Sequence, residues 1–167
     1  LSIEQLKTAG MLLFGRVTCE GMAVAWASAK GEAAERMISL PKIAFSATMD
    51  KADWANTRLV KENAAKEIER RKREPGTDLF IFGSGKLVSS LTPLGLIDEH
   101  RIGVVPIMLG SGNPLLNPNA GRADLKLLEA KPLKSGFAIL RYGPVREPYR
   151  RRGERSRALS AGSVEVL

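Results

Sequence analysis

Three short apolar runs constrain this chain more than any other feature. Met11–Phe14, Lys42–Ser46 and Leu79–Phe82 each end beside a glycine or a hydroxyl residue, at Gly15, Ser46 and Gly83. Runs this short are buried strands rather than helices. Leu79-Phe80-Ile81-Phe82 is apolar at every position, which suits a central parallel strand covered by helices on both faces. The intervening segments carry helical spacing. Ser2 and Gln5 are placed as a capping box for a short helix bearing Ile3, Leu6 and Ala9. Thr18 is expected to cap a helix over about 19–28, with Met22 and Trp26 on one face. Ala33, Ala34, Met37 and Leu40 repeat until Pro41 ends them. Asn63 is expected to cap a helix over 64–74, stopped by Pro75-Gly76. Leu87, Val88 and Leu91 mark a helix after the third run.

The second half of the chain reads differently. Thr57–Val60 is a weaker strand that still belongs to the alternating part. His100–Val105, Leu125–Ala130 and Phe137–Tyr142 then follow as strands without intervening helices, separated by a Gly- and Pro-rich loop over 106–118. Alternating β and α followed by strands alone predicts an α/β three-layer sandwich. Its mixed central sheet is mostly parallel, with antiparallel C-terminal strands and helices on both faces. One domain is expected over residues 1–143, then a basic, solvated tail over 144–167.

Charge and composition narrow the function classes. The net charge is +8, from 26 Lys and Arg against 18 Asp and Glu. The tail holds six arginines and three glutamates, so +5 belongs to residues 1–143. Aromatics are only 5% and no basic stripe alternates with them, so no base-stacking platform is visible and nucleic acid is not the expected partner. No apolar run approaches the ~20 residues of a membrane span. The first ten residues lack a basic start and an apolar stretch, so no signal peptide is read there. One cysteine, Cys19, cannot form an internal disulfide, and a cytoplasmic setting is the default expectation.

The loops after the three runs are the candidates for chemistry. In Gly15-Arg16-Val17-Thr18, glycine permits close backbone approach, a helix start offers free N–H groups, and Arg16 adds a planar cation. The same residues also make a plain strand-to-helix turn. Ser46-Ala47-Thr48 brings two hydroxyls to a strand end, where they can hold a phosphate or ribose, or cap their own backbone. Gly83-Ser84-Gly85-Lys86-Leu87-Val88 puts two glycines between a buried strand and a helix, so that a pyrophosphate could approach bare amides. It matches neither the three-glycine dinucleotide fingerprint nor the Walker spacing. In an open α/β sheet, all three loops lie at the carboxyl edge, where ligands bind.

Other constellations are weak. One histidine and one cysteine cannot build a zinc cluster, and no metal site is expected. His100 shares a strand face with Ile102 and Val104 and reads as structural. Cys19, in a first helical turn, has a position that could lower its pKa, but no paired base, and also reads as structural. Asp98-Glu99 reads as a solvated strand start. Asp53-Trp54 reads as a turn anchor.

The loops, their order and their flanks resemble one reductase family. It includes the C-terminal domain of the riboflavin-biosynthesis protein RibD and, more distantly, dihydrofolate reductase. The matching stretches are LLFGRVTCEGM (12–22), LPKIAFSATMDKADWANTRLV (40–60), DLFIFGSGKLVSSL (78–91), GLIDEHRIGVVPIMLGSGNPLL (95–116) and LLEAKPLKSGFAILRY (127–142). The resemblance implies a dihydrofolate-reductase-like sandwich that binds NADPH. It implies that Gly15, Arg16 and Thr18 hold cofactor phosphates, and that Ser46, Ala47 and Thr48 line the adenosine end. Gly83, Ser84, Gly85, Lys86, Leu87 and Val88 would wrap the pyrophosphate and the ribose next to the nicotinamide. Pro106, Leu109 and Gly110 would border the substrate side.

The implied reaction is that of 5-amino-6-ribosylaminouracil reductase or of dihydrofolate reductase: hydride transfer to a pyrimidine- or pterin-like heterocycle. No catalytic residue is named by the motifs. A homodimer built through the later strands is also implied. Members of this family carry an opening strand before the segment matching 12–22. Here the preceding residues read as a helix, so a gap in the middle of the sheet is expected. The alternative is a non-catalytic, degenerate nucleotide-binding and dimerising protein of the same fold. A nucleic-acid binder using the arginine tail is a weaker rival.

Overall fold

A computed structural model describes residues 3–76, 78–145 and 164–166. Its elements, in chain order, begin with α1 (Ile3–Thr8), β1 (Ala9–Gly15), α2 (Arg16–Ala27), α3 (Glu32–Ser39), β2 (Lys42–Phe45) and β3 (Thr57–Val60). α4 (Ala64–Arg73), β4 (Asp78–Ile81) and α5 (Gly85–Leu91) follow. The chain closes with β5 (Glu99–Val104), β6 (Leu125–Pro132), β7 (Ala138–Pro144) and β8 (Val164–Val166). One eight-stranded sheet has the order β3-β2-β1-β4-β8-β5-β7-β6. Pairing is parallel from β3 through β5 and antiparallel for β5-β7 and β7-β6. This is the expected three-layer architecture.

Side chains alternate across the strands and feed two apolar layers. Leu13, Ile43, Leu79 and Ile81 pack with Ile68 of α4 and Leu87, Val88 and Leu91 of α5. Leu12, Phe14, Ala44, Phe80 and Phe82 pack on the other face with Leu6, Cys19, Met37 and Trp54. Both faces of β1 and β4 are thereby buried, as their uninterrupted apolar sequence requires. Asn63 caps α4 as expected, its side-chain oxygen accepting from the Ala65 N–H at 2.9 Å. A Cβ on Gly103 would lie 2.6 Å from the Phe137 ring, so glycine here leaves room for that ring, which would have to move to admit a larger residue.

Several sequence expectations need correction. The second helix starts at Arg16, with Gly15 as its N-cap and no side-chain cap bond. Thr18 therefore sits inside the first turn and is not the cap. Residues 146–163, expected in a solvated tail, and Ser2, expected in a capping box, lie outside the described residues. Val164–Val166, also assigned to that tail, form a buried strand instead. This strand stands in the middle of the sheet, between β4 and β5, where a gap was expected. The Val-Glu-Val alternation explains the fit: Val164 enters the apolar layer, and Glu165 faces Arg101 at 2.5 Å.

Asp98-Glu99 is also not solvated. Glu99 is buried between two guanidiniums, Arg101 at 2.5 Å and Arg141 at 2.6 Å. Lys42, read from the sequence only as a strand residue, is fully buried. Its ammonium donates to the carbonyls of Ile38 (2.8 Å), Leu40 (2.7 Å) and Ala55 (3.0 Å) and lies 4.8 Å over the Trp54 ring. Carbonyls at a helix C-terminus attract a cation, which is why a lysine is tolerated there.

Candidate functional site

β1 and β4 are parallel neighbours, so their following loops emerge on one edge of the sheet. The backbone N–H of Gly15 donates to Ser84 Oγ at 2.8 Å, tying the two loops together. Gly83 and Ser84 are both left-handed, with φ of 55° and 56°. Glycine adopts that conformation without strain, whereas serine does so at a cost of about 1–3 kcal/mol. Such strained residues cluster at ligand sites.

The two loops form one side of a groove of about 880 Å³. Its walls include Gly15, Arg16, Val17, Thr18, Phe45 and Ser84–Leu87. The first turn of the twelve-residue α2 points into this region without a side-chain cap, so its orphan N–H groups are available to an anion. Arg16 pairs with Glu20 one turn along at 3.0 Å, and both side chains are about half exposed. A surface i,i+4 pair of this kind contributes only about 0.3–0.5 kcal/mol, so the guanidinium is readily redirected.

Two of the three predicted loops therefore share one groove. The third is beside it. Gly15 and Phe45 are register partners on adjacent strands, and Phe45 lines the groove, but Ser46, Ala47 and Thr48 do not. Ser46 Oγ accepts from the N–H groups of Thr48 (3.1 Å) and Met49 (3.0 Å). Its hydroxyl thus caps its own loop, the second of the two readings given to that motif.

The expected substrate-side residues Pro106, Leu109 and Gly110 are exposed and line neither cavity described here. The wall facing the glycine loops comes instead from Asn113, Pro114, Leu115 and Asn117. These residues were missed. The Asn117 N–H donates to Ser89 Oγ at 2.7 Å, and that hydroxyl donates to the Gly85 carbonyl at 2.6 Å. A Cβ on Gly85 would lie 3.4 Å from the Leu115 carbonyl oxygen, so glycine eases the close approach of this segment to the start of α5. The available signal was Asn113-Pro114 and Asn117-Pro118, two turn-forming pairs around a Leu-Leu step.

A second, smaller cavity of about 170 Å³ adjoins the groove, and Gly85 and Leu115 line both. Val88, His100, Ile102, Leu116, Leu125 and Val166 supply most of its wall. Burial lowers the pKa of His100, so the imidazole is held neutral there. Burial also raises the Cys19 thiol, helped by Glu20. The helix-start position of Cys19 thus does not lower its pKa, because the apolar layer around it dominates. No carboxylate is among the described residues lining either cavity.

Comparison with known proteins agrees with this fold. The RibD C-terminal domain family matches residues 4–139. The chain belongs to that family. Among curated relatives, the Bacillus subtilis (strain 168) protein YyaP is 31% identical over 104 residues, covering 62% of this chain and 55% of YyaP. YwjB from the same strain is 31% identical over 87 residues, covering 52% of this chain and 50% of YwjB. The chain thus spans about half the length of the curated relatives it matches. A crystal structure of a Shewanella sp. PV-4 protein named for riboflavin biosynthesis superposes with a TM-score of 0.68 at 21% identity, covering 86% of this chain and 78% of that one. A pyrimidine reductase-like protein from Corynebacterium diphtheriae gives 0.54 at 14% identity, covering 86% and 79%. At these identities the two structures establish a shared fold. Membership in the RibD C-terminal domain family agrees with the dihydrofolate-reductase-like three-layer sandwich described above. Among the described residues, no helix is long and apolar enough to cross a membrane.

Proposed function

We propose that the groove binds NADPH and that the protein is a reductase acting on a pyrimidine- or pterin-like heterocycle. The observation that carries this reading is the meeting of two glycine loops, from β1 and β4, at the uncapped start of α2. Bare amides, a left-handed Gly83-Ser84 turn and a redirectable guanidinium fit a diphosphate. Gly15, Arg16 and Thr18 would hold phosphate oxygens, and Gly83–Val88 the adjoining ribose and pyrophosphate. Ser46, Ala47 and Thr48, at the neighbouring strand end, would border the adenosine end. NADPH, when bound, supplies a hydride equivalent, and one proton from solvent or a side chain completes a two-electron reduction.

The residues around the second cavity would then orient the acceptor. Ile102, Leu116, Leu125 and Val166 offer apolar contact to a flat ring, and the neutral His100 offers one donor and one acceptor nitrogen. The exposed 106–110 segment borders this site only if acceptor or partner folds it inward. A homodimer would cover the apolar surface of the later strands, where Leu127 and Leu128 are half exposed, and the loop after β5, where Met108 is fully exposed.

Titration with NADPH and with NADH, followed by thermal unfolding, tests the proposal. A ligand at a hundred times its Kd adds about 2.7 kcal/mol. A rise with NADPH is expected; no rise with either nucleotide would remove the reading. The second reading is a nucleotide-binding and dimerising protein without catalysis; none of the described residues lining either cavity is a carboxylate. Stable NADPH binding with no oxidation across dihydrofolate, pterins and aminouracil ribosides would select that reading.

A further inference from the structure

We propose that the slot between β4 and β5 is a strand-binding site that selects an apolar–acidic–apolar tripeptide, and that Val164–Val166 completes the second cavity by occupying it. This inference is independent of the nucleotide reading. A strand in the centre of a sheet satisfies backbone groups on both neighbours. Here that position is held by three residues. Val164, Glu165 and Val166 stand opposite Leu79, Phe80 and Ile81 on one side, and Glu165 and Val166 stand opposite Glu99 and His100 on the other. So short an element contributes few backbone bonds, so its docking depends on side chains.

Two devices provide the selection. The first reads the backbone. Asp98 accepts the Val164 N–H on its carboxylate at 2.9 Å, while its own N–H donates to the Val164 carbonyl at 2.9 Å. Lys72 holds the Asp98 carboxylate at 2.5 Å and also reaches the Leu96 carbonyl at 3.2 Å. The second device reads sequence. Val164 is fully buried in the layer that contains Leu79, Ile81 and Ile97. Glu165 faces the opposite side, with Oε2 2.5 Å from the Arg101 guanidinium. Arg101 lies over the Phe80 ring at 5.8 Å and also bonds Glu99. Arg101 keeps Glu99 as a partner whatever stands in the middle position, but a basic residue there would set a second cation against its half-buried guanidinium, whereas Glu165 answers that charge against the opposing carboxylates of Glu99 and Asp78.

The consequence is local to the site. Val166 pairs with His100 and forms part of the second cavity's wall. Undocking of the strand would remove that wall and expose His100. Asp98 is thus a positioning residue for the cavity, acting through β8, while Arg101 both lines the cavity and holds β8 in place.

His100 is the single histidine of the chain, so its imidazole proton resonance is an unambiguous reporter. The experiment compares full-length wild type, Glu165→Lys, Glu165→Gln and the double variant Arg101→Glu/Glu165→Lys. It reads hydrogen exchange at Leu79–Ile81 and His100, together with the His100 titration. Glu165→Lys should accelerate exchange at these amides on the order of tenfold or more. The His100 midpoint should rise toward its ordinary value. Glu165→Gln should do both to a smaller degree, and the double variant should restore protection. The free peptide Ser-Val-Glu-Val-Leu, added to Glu165→Lys, should restore protection, whereas Ser-Val-Lys-Val-Leu should not. Unchanged exchange and titration in both single variants would overturn the proposal. So would failure of both the double variant and the acidic peptide to restore protection. If Glu165→Lys does not fold, the Gln variant and the double variant carry the same decision. NADPH affinity is measured alongside; its loss or absence in wild type bears only on the nucleotide reading.

Discussion

The two halves of the sheet are stabilised in different ways. From β3 to β4, helices cover both faces, and Leu12, Leu13, Phe14, Ile81 and Phe80 have essentially no exposed surface. From β5 to β6, the antiparallel strands carry an ion-pair ladder instead. It runs from Glu165 to Arg101, Glu99, Arg141 and Glu129 across neighbouring strands. Leu127 and Leu128 on β6 remain about half exposed. The first half therefore rests on non-directional burial, roughly proportional to apolar area. The second half depends on particular partners, whose worth is set by geometry and by neighbouring charge. The groove belongs to the first half, at the ends of β1 and β4. The second cavity lies at the junction, where β8 joins the two.

This contrast can be broken most sharply by truncation. Phe80→Ala should cost about 3–5 kcal/mol, the range for a buried aromatic replaced by alanine. Leu128→Ala should cost within about 0.5 kcal/mol in the monomer, because its site is a surface. Urea unfolding of both variants tests the pair, and equal losses would contradict the division. Lys42→Met comes next. It removes the donor from three carbonyls, and an orphaned buried acceptor costs about 1–3 kcal/mol. A loss in that range or above is expected from the same measurement.

A pH series sharpens the description of the second half. Burial pushes the Glu99 carboxyl up, but hydrogen bonds from Arg141 and Arg101 and their charges pull it below its ordinary value of 4.5 overall. A carboxyl with a lowered native pKa contributes stability that is present above 4.5 and is lost as pH falls through the native value. Wild type should therefore lose stability on acidification in that window. Glu99→Gln should be less stable at neutral pH and show a shallower acid decline. Parallel acid limbs would show that the ladder contributes nothing through Glu99. The smallest effect on folding is expected from Arg16→Ala, within about 0.5 kcal/mol, since the residue is a surface cation. Its effect should fall on NADPH affinity, measured by titration. Unaltered affinity would count against its phosphate role.

The difference between the halves also decides what was legible in the sequence. MLLF, KIAF and LFIF announce buried parallel strands because burial on both faces leaves no polar alternation. Gly15 and Gly83 could be placed at their ends for the same reason, so the groove's glycine loops were readable. The Ser46 loop was only half readable: its position was clear, but whether a hydroxyl serves a ligand or its own backbone depends on local geometry. Asn113–Asn117 was hidden because its place in the wall is set by tertiary contacts, Asn117 bonding Ser89 and Leu116 packing on the core. Lys42 and Glu99 were hidden because a charged residue is buried only where partners remote in sequence await it. Val164–Val166 shows the same limit. Three residues carry too little periodicity to announce a strand, and Arg101, the partner of Glu165, is 64 positions away.

The central claim is that the loops after β1 and β4 form one dinucleotide site. Backbone amide shifts recorded while NADPH is added test it directly. The account predicts saturable changes at Gly15–Thr18 and Gly83–Val88 together, with one common affinity. Changes confined to Pro106–Gly110, or different affinities at the two glycine loops, would contradict it.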